Sequence, residues 1–230
     1  RGPALPLRPP EVWGFGVTYR KSADDRADDA PATADIYRRA HQGPRPEVFF
    51  KATAARCVGP GDPIGIRGDS TLTAAEPELA YVVGRDGAIV AYTLANDVSA
   101  WDIERDNPLY LPQSKTYDAC CALGPCLVTA DEVQADRLEI KMTLTRGRET
   151  LFAGAAPTSL MKYDIPYLHS YLTRYNHVPP GTVAMTGTGI MLPPGMGLAA
   201  GDVVTITAAP FGELRNPVVT LAAPPSQRIP

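Results

Sequence analysis

The stretch EPELAYVVGRDGAIVAYTLAND, residues 76–97, holds two apolar runs that are rich in β-branched and aromatic residues. Such runs are typical of β-strands. Between them, Asp86-Gly87 is a strong signal for a tight hairpin turn, because glycine accepts the positive φ that these turns require. We therefore predict two antiparallel strands, at residues 78–84 and 88–97, that fold back on each other.

The first strand carries two acidic residues, Glu76 and Glu78, at alternate positions, so both carboxylates point to one face of an extended chain. Antiparallel pairing about the turn brings Asp97 close to both of them. Buried like charges repel each other, whereas a hard divalent cation such as Mg²⁺, Mn²⁺ or Ca²⁺ is suited to three carboxylates. Three protein ligands also leave open positions for a chelating substrate. The alternative for the glutamate pair alone is an edge strand with a solvated polar face.

The rest of the chain predicts a mostly β domain of the α+β type with a few short helices. Its 20 glycines and 24 prolines are spread along the sequence, which favours many short strands and turns. The helices are expected at 35–40, at 99–106 with Ser99 as N-cap, and at 163–175, where Tyr167, Leu168, Tyr171 and Leu172 share a face. The other strands are expected at 12–19, 47–52, 62–68, 138–146, 181–189, 202–209 and 216–223.

The bulk composition excludes several classes of protein. With 44% hydrophobic and 20% charged residues and a net charge of −3, the chain has no basic excess for nucleic acid and no apolar run that could span a membrane. Its four cysteines form no disulfide framework, which favours reduced thiols and a cytoplasmic protein. Residues 1–10 are interpreted as a tail, the possible end of a missing segment, and residues 11–230 as one catalytic domain with a lid-like segment at about 20–46.

A set of motifs in this order resembles the fumarylacetoacetate hydrolase superfamily: EPELAYVVG, VAYTLANDVSAWD, LPQSKTYDACCALGP, MTGTG and FGELRNPV. The resemblance covers about residues 14–218. It implies a mixed β-sandwich roll, a homodimer or higher homo-oligomer, and Mg²⁺ or Mn²⁺ held by Glu76, Glu78 and Asp97. It also places Lys115 beside the metal.

Within this family the chain is most similar to the branch that dehydrates 2-keto-3-deoxy sugar acids. Hydrolases and decarboxylases usually carry N-Y-x-x-H and a later glutamate on their lid, whereas Lys21 and Ser22 stand at the expected histidine position here. His41 is the candidate remnant of that pair. The motif RPEVFFKA resembles the dehydratases, where the glutamate that matches Glu47 serves with the lysine in acid–base work. The alternatives are a surface glutamate at Glu47 and a structural counter-ion at Lys115.

The resemblance implies further that Thr186, Gly187, Thr188 and Ser22 contact substrate. A 2-oxo acid would chelate Mg²⁺ through its carboxylate and keto oxygens, and the cation would acidify the C3 hydrogens by stabilising the enolate. The rival hypotheses are a hydrolase or decarboxylase acting on an acylpyruvate or oxaloacetate-like acid, and a non-catalytic family member. Trp101 stands where the family often has arginine, and packing is its simplest interpretation.

Overall fold

The structure, a computed structural model, describes residues 4–20 and 34–222. Strands dominate these residues, as the sequence predicts. The strands are β1 (Val12–Gly16), β2 (Glu47–Ala52), β3 (Cys57–Val58), β4 (Ile64–Ile66), β5 (Thr73–Ala74), β6 (Pro77–Val83), β7 (Ile89–Asp97), β8 (Ser99–Ala100), β9 (Cys121–Thr129), β10 (Glu139–Arg146), β11 (Glu149–Pro157), β12 (Val183–Met185), β13 (Asp202–Ala208) and β14 (Gly212–Thr220). The helices are α1 (Ala34–Gln42), α2 (Trp101–Asp106), α3 (Leu111–Lys115) and α4 (Ile165–Thr173), with 3₁₀ turns at Ala54–Arg56, Pro108–Tyr110, Ala130–Glu132 and Thr158–Leu160.

The strands form two main sheets and a small two-stranded one. The larger sheet has the order β2-β1-β12-β6-β7-β9-β3, the second has the order β11-β10-β13-β14-β4, and β5 pairs with β8. Parallel and antiparallel neighbours occur in both main sheets. One apolar core lies between them, because inward side chains such as Leu79 and Leu94 from the larger sheet join Met142, Leu144 and Ile206 from the other. This is the mixed sandwich that the motifs implied.

The β6–β7 hairpin forms where the turn signal predicted it. Val83 pairs with Ile89, and Gly87 lies at φ 79°, in the left-handed region that glycine tolerates. From this turn the register runs to the pairing of Glu78 with Ala95, and beyond it the Asp97 N–H donates to the Glu76 carbonyl oxygen at 2.9 Å. The hairpin therefore delivers three acidic residues to one end of the larger sheet.

Several boundaries differ from those expected. Strand β1 ends at Gly16 because Val17 adopts φ 54°, a strained conformation for a β-branched residue. The strand expected at 181–189 is only Val183–Met185, because the chain turns at Gly187, which has φ 91°. Strands β9 and β11 were not expected, since glycine and proline in their sequences argue against a strand interior.

The helix predictions were right in position and partly wrong in detail. Ser99 does not cap α2: it lies in β8, and Ala100 is the N-cap residue. On α4 the buried side chains are Ile165, Leu168 and Leu172, whereas Tyr167 is exposed and donates its hydroxyl hydrogen to the Pro44 carbonyl oxygen. In the described part of the chain, every helix is too short or too polar to cross a lipid bilayer.

Candidate metal and active site

The carboxylates of Glu76, Glu78 and Asp97 converge at the end of the β6–β7 hairpin. Their candidate ligand oxygens all lie within 4.8 Å of one another, and each residue is at most 2% exposed. Oxygen ligands of this kind fit hard divalent cations such as Mg²⁺. The geometry confirms the convergence predicted from the hairpin register and excludes a solvated edge strand.

Lys115, at the end of α3, faces this cluster. Its Nζ lies 3.0 Å from Glu76 Oε2, 3.0 Å from Asp97 Oδ2 and 2.7 Å from Ser99 Oγ. An ammonium group has three N–H donors, and each of these three acceptors can take one of them. Lys115 is therefore placed as a charged donor beside the carboxylates.

A second buried lysine, Lys51 of β2, approaches Asp97 from the other side. Its Nζ lies 2.5 Å from Asp97 Oδ1 and donates to the Val98 carbonyl oxygen at 2.8 Å. Lys51 was not among the residues that the sequence pointed to. The available signal was the charged Lys51 between Phe50 and Ala52 in the strand EVFFKA, since a buried charge requires a partner.

Each of the two glutamates also accepts a hydrogen bond from an uncharged donor. The indole N–H of Trp101 donates to Glu76 Oε1 at 2.6 Å, and the backbone N–H of Gly187 donates to Glu78 Oε2 at 2.5 Å. Packing alone was the simplest interpretation of Trp101, and this hydrogen bond adds a contact to a candidate ligand. Gly187 can turn here because it has no side chain: a Cβ would lie 2.0 Å from Thr18 Oγ1.

The two lysines partly balance the charge of the three clustered carboxylates. When fully ionised, three carboxylates against the ammonium groups of Lys51 and Lys115 leave a net charge of −1. Burial, together with the charges of Asp97 and Glu76, raises the pKa of Glu78 well above its ordinary value. A divalent cation would relieve this repulsion, so the residues present fit such an ion.

A cavity opens beside the cluster and contains the predicted acid–base pair. Glu47 and Lys115 both line it, as does Thr188; its other lining residues are Phe15, Gly16, Val17, Phe49, Glu76, Glu78, Asp97, Glu104 and Leu111. Glu47 pairs with Gly16 across β1 and β2, and a Cβ on Gly16 would lie 1.9 Å from Glu47 Oε2. The missing side chain of Gly16 therefore leaves the space that the Glu47 carboxylate occupies.

Of the other residues that were predicted to contact substrate, only some lie at the cavity. Thr186 donates its hydroxyl hydrogen to the Leu79 carbonyl oxygen, and Gly187 contacts Glu78, so Thr188 alone of these three is a cavity-lining residue. Ser22 lies outside the described residues. His41 Nδ1 lies 3.0 Å from the Val17 carbonyl oxygen, and His41 is not among the described residues that line the cavity.

Comparison with known sequences agrees with this arrangement. Residues 11–219 match the family described as "Fumarylacetoacetate (FAA) hydrolase C-terminal". The chain is 45% identical over 222 residues to a probable 2-keto-3-deoxyxylonate dehydratase of Haloferax volcanii, covering 96% of this chain and 76% of that protein. It is 43% identical over 217 residues to 2-dehydro-3-deoxy-D-arabinonate dehydratase of Saccharolobus solfataricus, covering 93% and 73%.

A solved structure extends the likeness to three dimensions. It is described as 2-keto-3-deoxy-D-arabinonate dehydratase complexed with magnesium and 2,5-dioxopentanoate, and it aligns with a TM-score of 0.87 at 42% identity, covering 95% of this chain and 75% of that one. With a family match over nearly the whole chain, and relatives this similar in sequence and fold, the chain belongs to the fumarylacetoacetate hydrolase family.

Proposed function

We propose that this protein is a Mg²⁺-dependent lyase that dehydrates a 2-keto-3-deoxy sugar acid, such as 2-keto-3-deoxy-arabinonate, to 2,5-dioxopentanoate. The observation that carries the proposal is the placement of Glu47 and Lys115 in one cavity with the three carboxylates. The dehydratases that share 43–45% of its sequence support the choice of reaction. The related structure with magnesium and 2,5-dioxopentanoate supports the choice of metal and product.

Glu76, Glu78 and Asp97 would hold the metal, and Glu47 and Lys115 would transfer protons. When bound, Mg²⁺ would polarise the carboxylate and keto oxygens of the substrate and so acidify its C3 hydrogens. Glu47 is the better candidate for the base, because Lys115 already directs its three N–H donors to Glu76, Asp97 and Ser99. Lys115 is then the cation that stabilises negative charge and supplies a proton.

The reaction balances with these two residues. Glu47 takes a proton from C3, the electrons of that bond form the C3–C4 double bond, and the C4–O bond breaks. The departing hydroxide takes a proton from Lys115 and leaves as water. A subsequent proton shift from C5 to C3 moves the double bond to C4–C5 and leaves an enol, and transfer of the enol O–H proton to C4 gives the C5 aldehyde of a five-carbon substrate. The overall change is therefore the loss of one water molecule. Positioned acid–base groups of this kind contribute about 10²–10⁴-fold in rate.

The test is an assay of purified protein with 2-keto-3-deoxy-arabinonate, in which aldehyde formation is coupled to an aldehyde dehydrogenase. We expect activity that is lost with EDTA, is restored by Mg²⁺, and falls about 10²–10⁴-fold in Glu47→Gln while Mg²⁺ binding is kept. Glu139→Gln is the matched control, because Glu139 is exposed on the second sheet and does not line the cavity. Release of pyruvate from an acylpyruvate or oxaloacetate, with no reaction of sugar acids, would contradict the proposal. The predicted homodimer is tested separately, by light scattering.

A further inference from the structure

Trp101 makes a direct hydrogen bond to a candidate metal ligand, although it is not among the described residues that line the cavity. Both side chains of this bond are 2% exposed. The Trp101 N–H contacts Glu76 Oε1, while Lys115 contacts Oε2 of the same carboxylate. Two donors on two different oxygens fix the rotation of the carboxylate plane as well as its position.

The position of the indole is itself determined by the surrounding fold. Trp101 is the first residue of α2, and the next residue, Asp102, anchors this helix by accepting hydrogen bonds from Ser70 Oγ at 2.7 Å and from the Thr71 backbone N–H at 2.7 Å. The guanidinium of Arg105, one turn later, lies 5.0 Å from the centre of the indole ring. A donor that is held in this way is suited to orienting a ligand.

We propose that Trp101 is a positioning residue that orients Glu76 for the divalent cation; this inference rests on the metal site of the proposed function. It acts through Glu76. Partners that orient metal ligands in this way typically change metal affinity by about 10–100-fold when they are removed.

The neutrality of the indole is part of its role. When all five groups are ionised, Lys51 and Lys115 reduce the charge of the three carboxylates from −3 to −1. The indole N–H therefore orients Glu76 without adding a charge to this set of groups. A tryptophan at this position therefore orients Glu76 and leaves the negative charge of the carboxylates, which attracts the cation, unchanged.

The first experiment compares Mg²⁺ binding by calorimetry in metal-free wild-type protein and Trp101→Phe, which keeps an aromatic ring and loses the N–H. We expect Kd to rise about 10–100-fold and turnover to recover at high Mg²⁺. Trp13→Phe is the control, because it also removes an indole–carboxylate hydrogen bond, from Trp13 Nε1 to Glu11 Oε2 at 2.8 Å. Glu11 does not belong to the three-carboxylate cluster. Unchanged Mg²⁺ affinity in Trp101→Phe, or lost turnover that excess Mg²⁺ does not restore, would overturn the inference.

A second experiment leaves Trp101 intact. The chain has two tryptophans, so in Trp13→Phe the indole fluorescence comes from Trp101 alone. Mg²⁺ should change this emission in a saturable way with the calorimetric Kd, and constant emission despite calorimetric binding would refute the contact. The proposed function fails separately if the wild type binds Mg²⁺ but dehydrates no sugar acid. A wild type that binds no Mg²⁺ overturns both proposals.

Discussion

Replacing Lys51 with methionine should be among the most damaging single changes to the metal-free protein. The side chains of Lys51 and Asp97 are 0% and 1% exposed, and Nζ lies 2.5 Å from Oδ1. Burial alone lowers the pKa of Lys51, but the Asp97 carboxylate outweighs this effect and the pKa is raised, so the lysine is charged at neutral pH. Methionine has a similar shape and leaves a buried carboxylate without this cation. Removing one partner of a buried ion pair costs about 3–5 kcal/mol.

This loss is measurable by urea or thermal denaturation at pH 7 in EDTA. For a chain of this size, 1 kcal/mol corresponds to about 2–4 °C, so a loss of about 3–5 kcal/mol lowers Tm by about 6–20 °C. Saturating Mg²⁺ should reduce the difference in Tm between Lys51→Met and the wild type, because the cation returns positive charge to the carboxylate cluster. The variant should therefore gain more stability from Mg²⁺ than the wild type gains.

The matched control is Lys141→Met. Lys141 pairs with Glu139 at 2.9 Å, and these side chains are 59% and 56% exposed. Exposed pairs of this kind contribute about 0–1 kcal/mol, so the control should remain near wild type. A loss of stability in Lys51→Met that is no larger than the loss in Lys141→Met would refute this role of Lys51. So would a loss of stability in Lys51→Met that Mg²⁺ leaves unchanged.

Three further changes test other parts of the site. Gly16→Ala puts a Cβ 1.9 Å from the flexible end of Glu47, so turnover should fall at least tenfold with little change in Tm; equal turnover would contradict the placement of Glu47. Gly187 has φ 91°, and an alanine Cβ there would lie 3.0 Å from the Phe15 carbonyl oxygen. Denaturation of Gly187→Ala should therefore show a free energy of unfolding lower by about 1–3 kcal/mol, and its Mg²⁺ binding should be weaker. For Asp102, burial raises the pKa, but hydrogen bonds from Ser70 and Thr71 outweigh it and the pKa is lowered. The ionised Asp102 therefore stabilises the fold at neutral pH, and this stabilisation is lost as pH falls below the ordinary aspartate pKa of about 4. The difference in free energy of unfolding between the wild type and Asp102→Asn should accordingly shrink as the solution is acidified.

The parts of the site that could be predicted from sequence depend on short-range rules. The Asp86-Gly87 turn sets the register of its hairpin, and the register alone brings Asp97 to Glu76 and Glu78. Short-range rules gave wrong predictions where the local preference of a segment disagrees with its pairing in the folded sheet. Strand β9 contains Pro125, which argues against a strand, yet its neighbours on both sides hold it in the larger sheet.

Lys51 and Trp101 show where sequence reasoning stops and what the fold adds. Lys51 contacts Asp97 across 46 positions of the chain and Trp101 contacts Glu76 across 25, so no local pattern reports either contact. Both belong to elements outside the hairpin, β2 and the start of α2, and both contribute a donor to a carboxylate whose own strand could be predicted. A hairpin sequence can assemble three ligands, but their negative charge is tolerable in the core only because other elements supply donors of the right charge. The positions of those donors are set by sheet order and helix docking, which are properties of the whole fold.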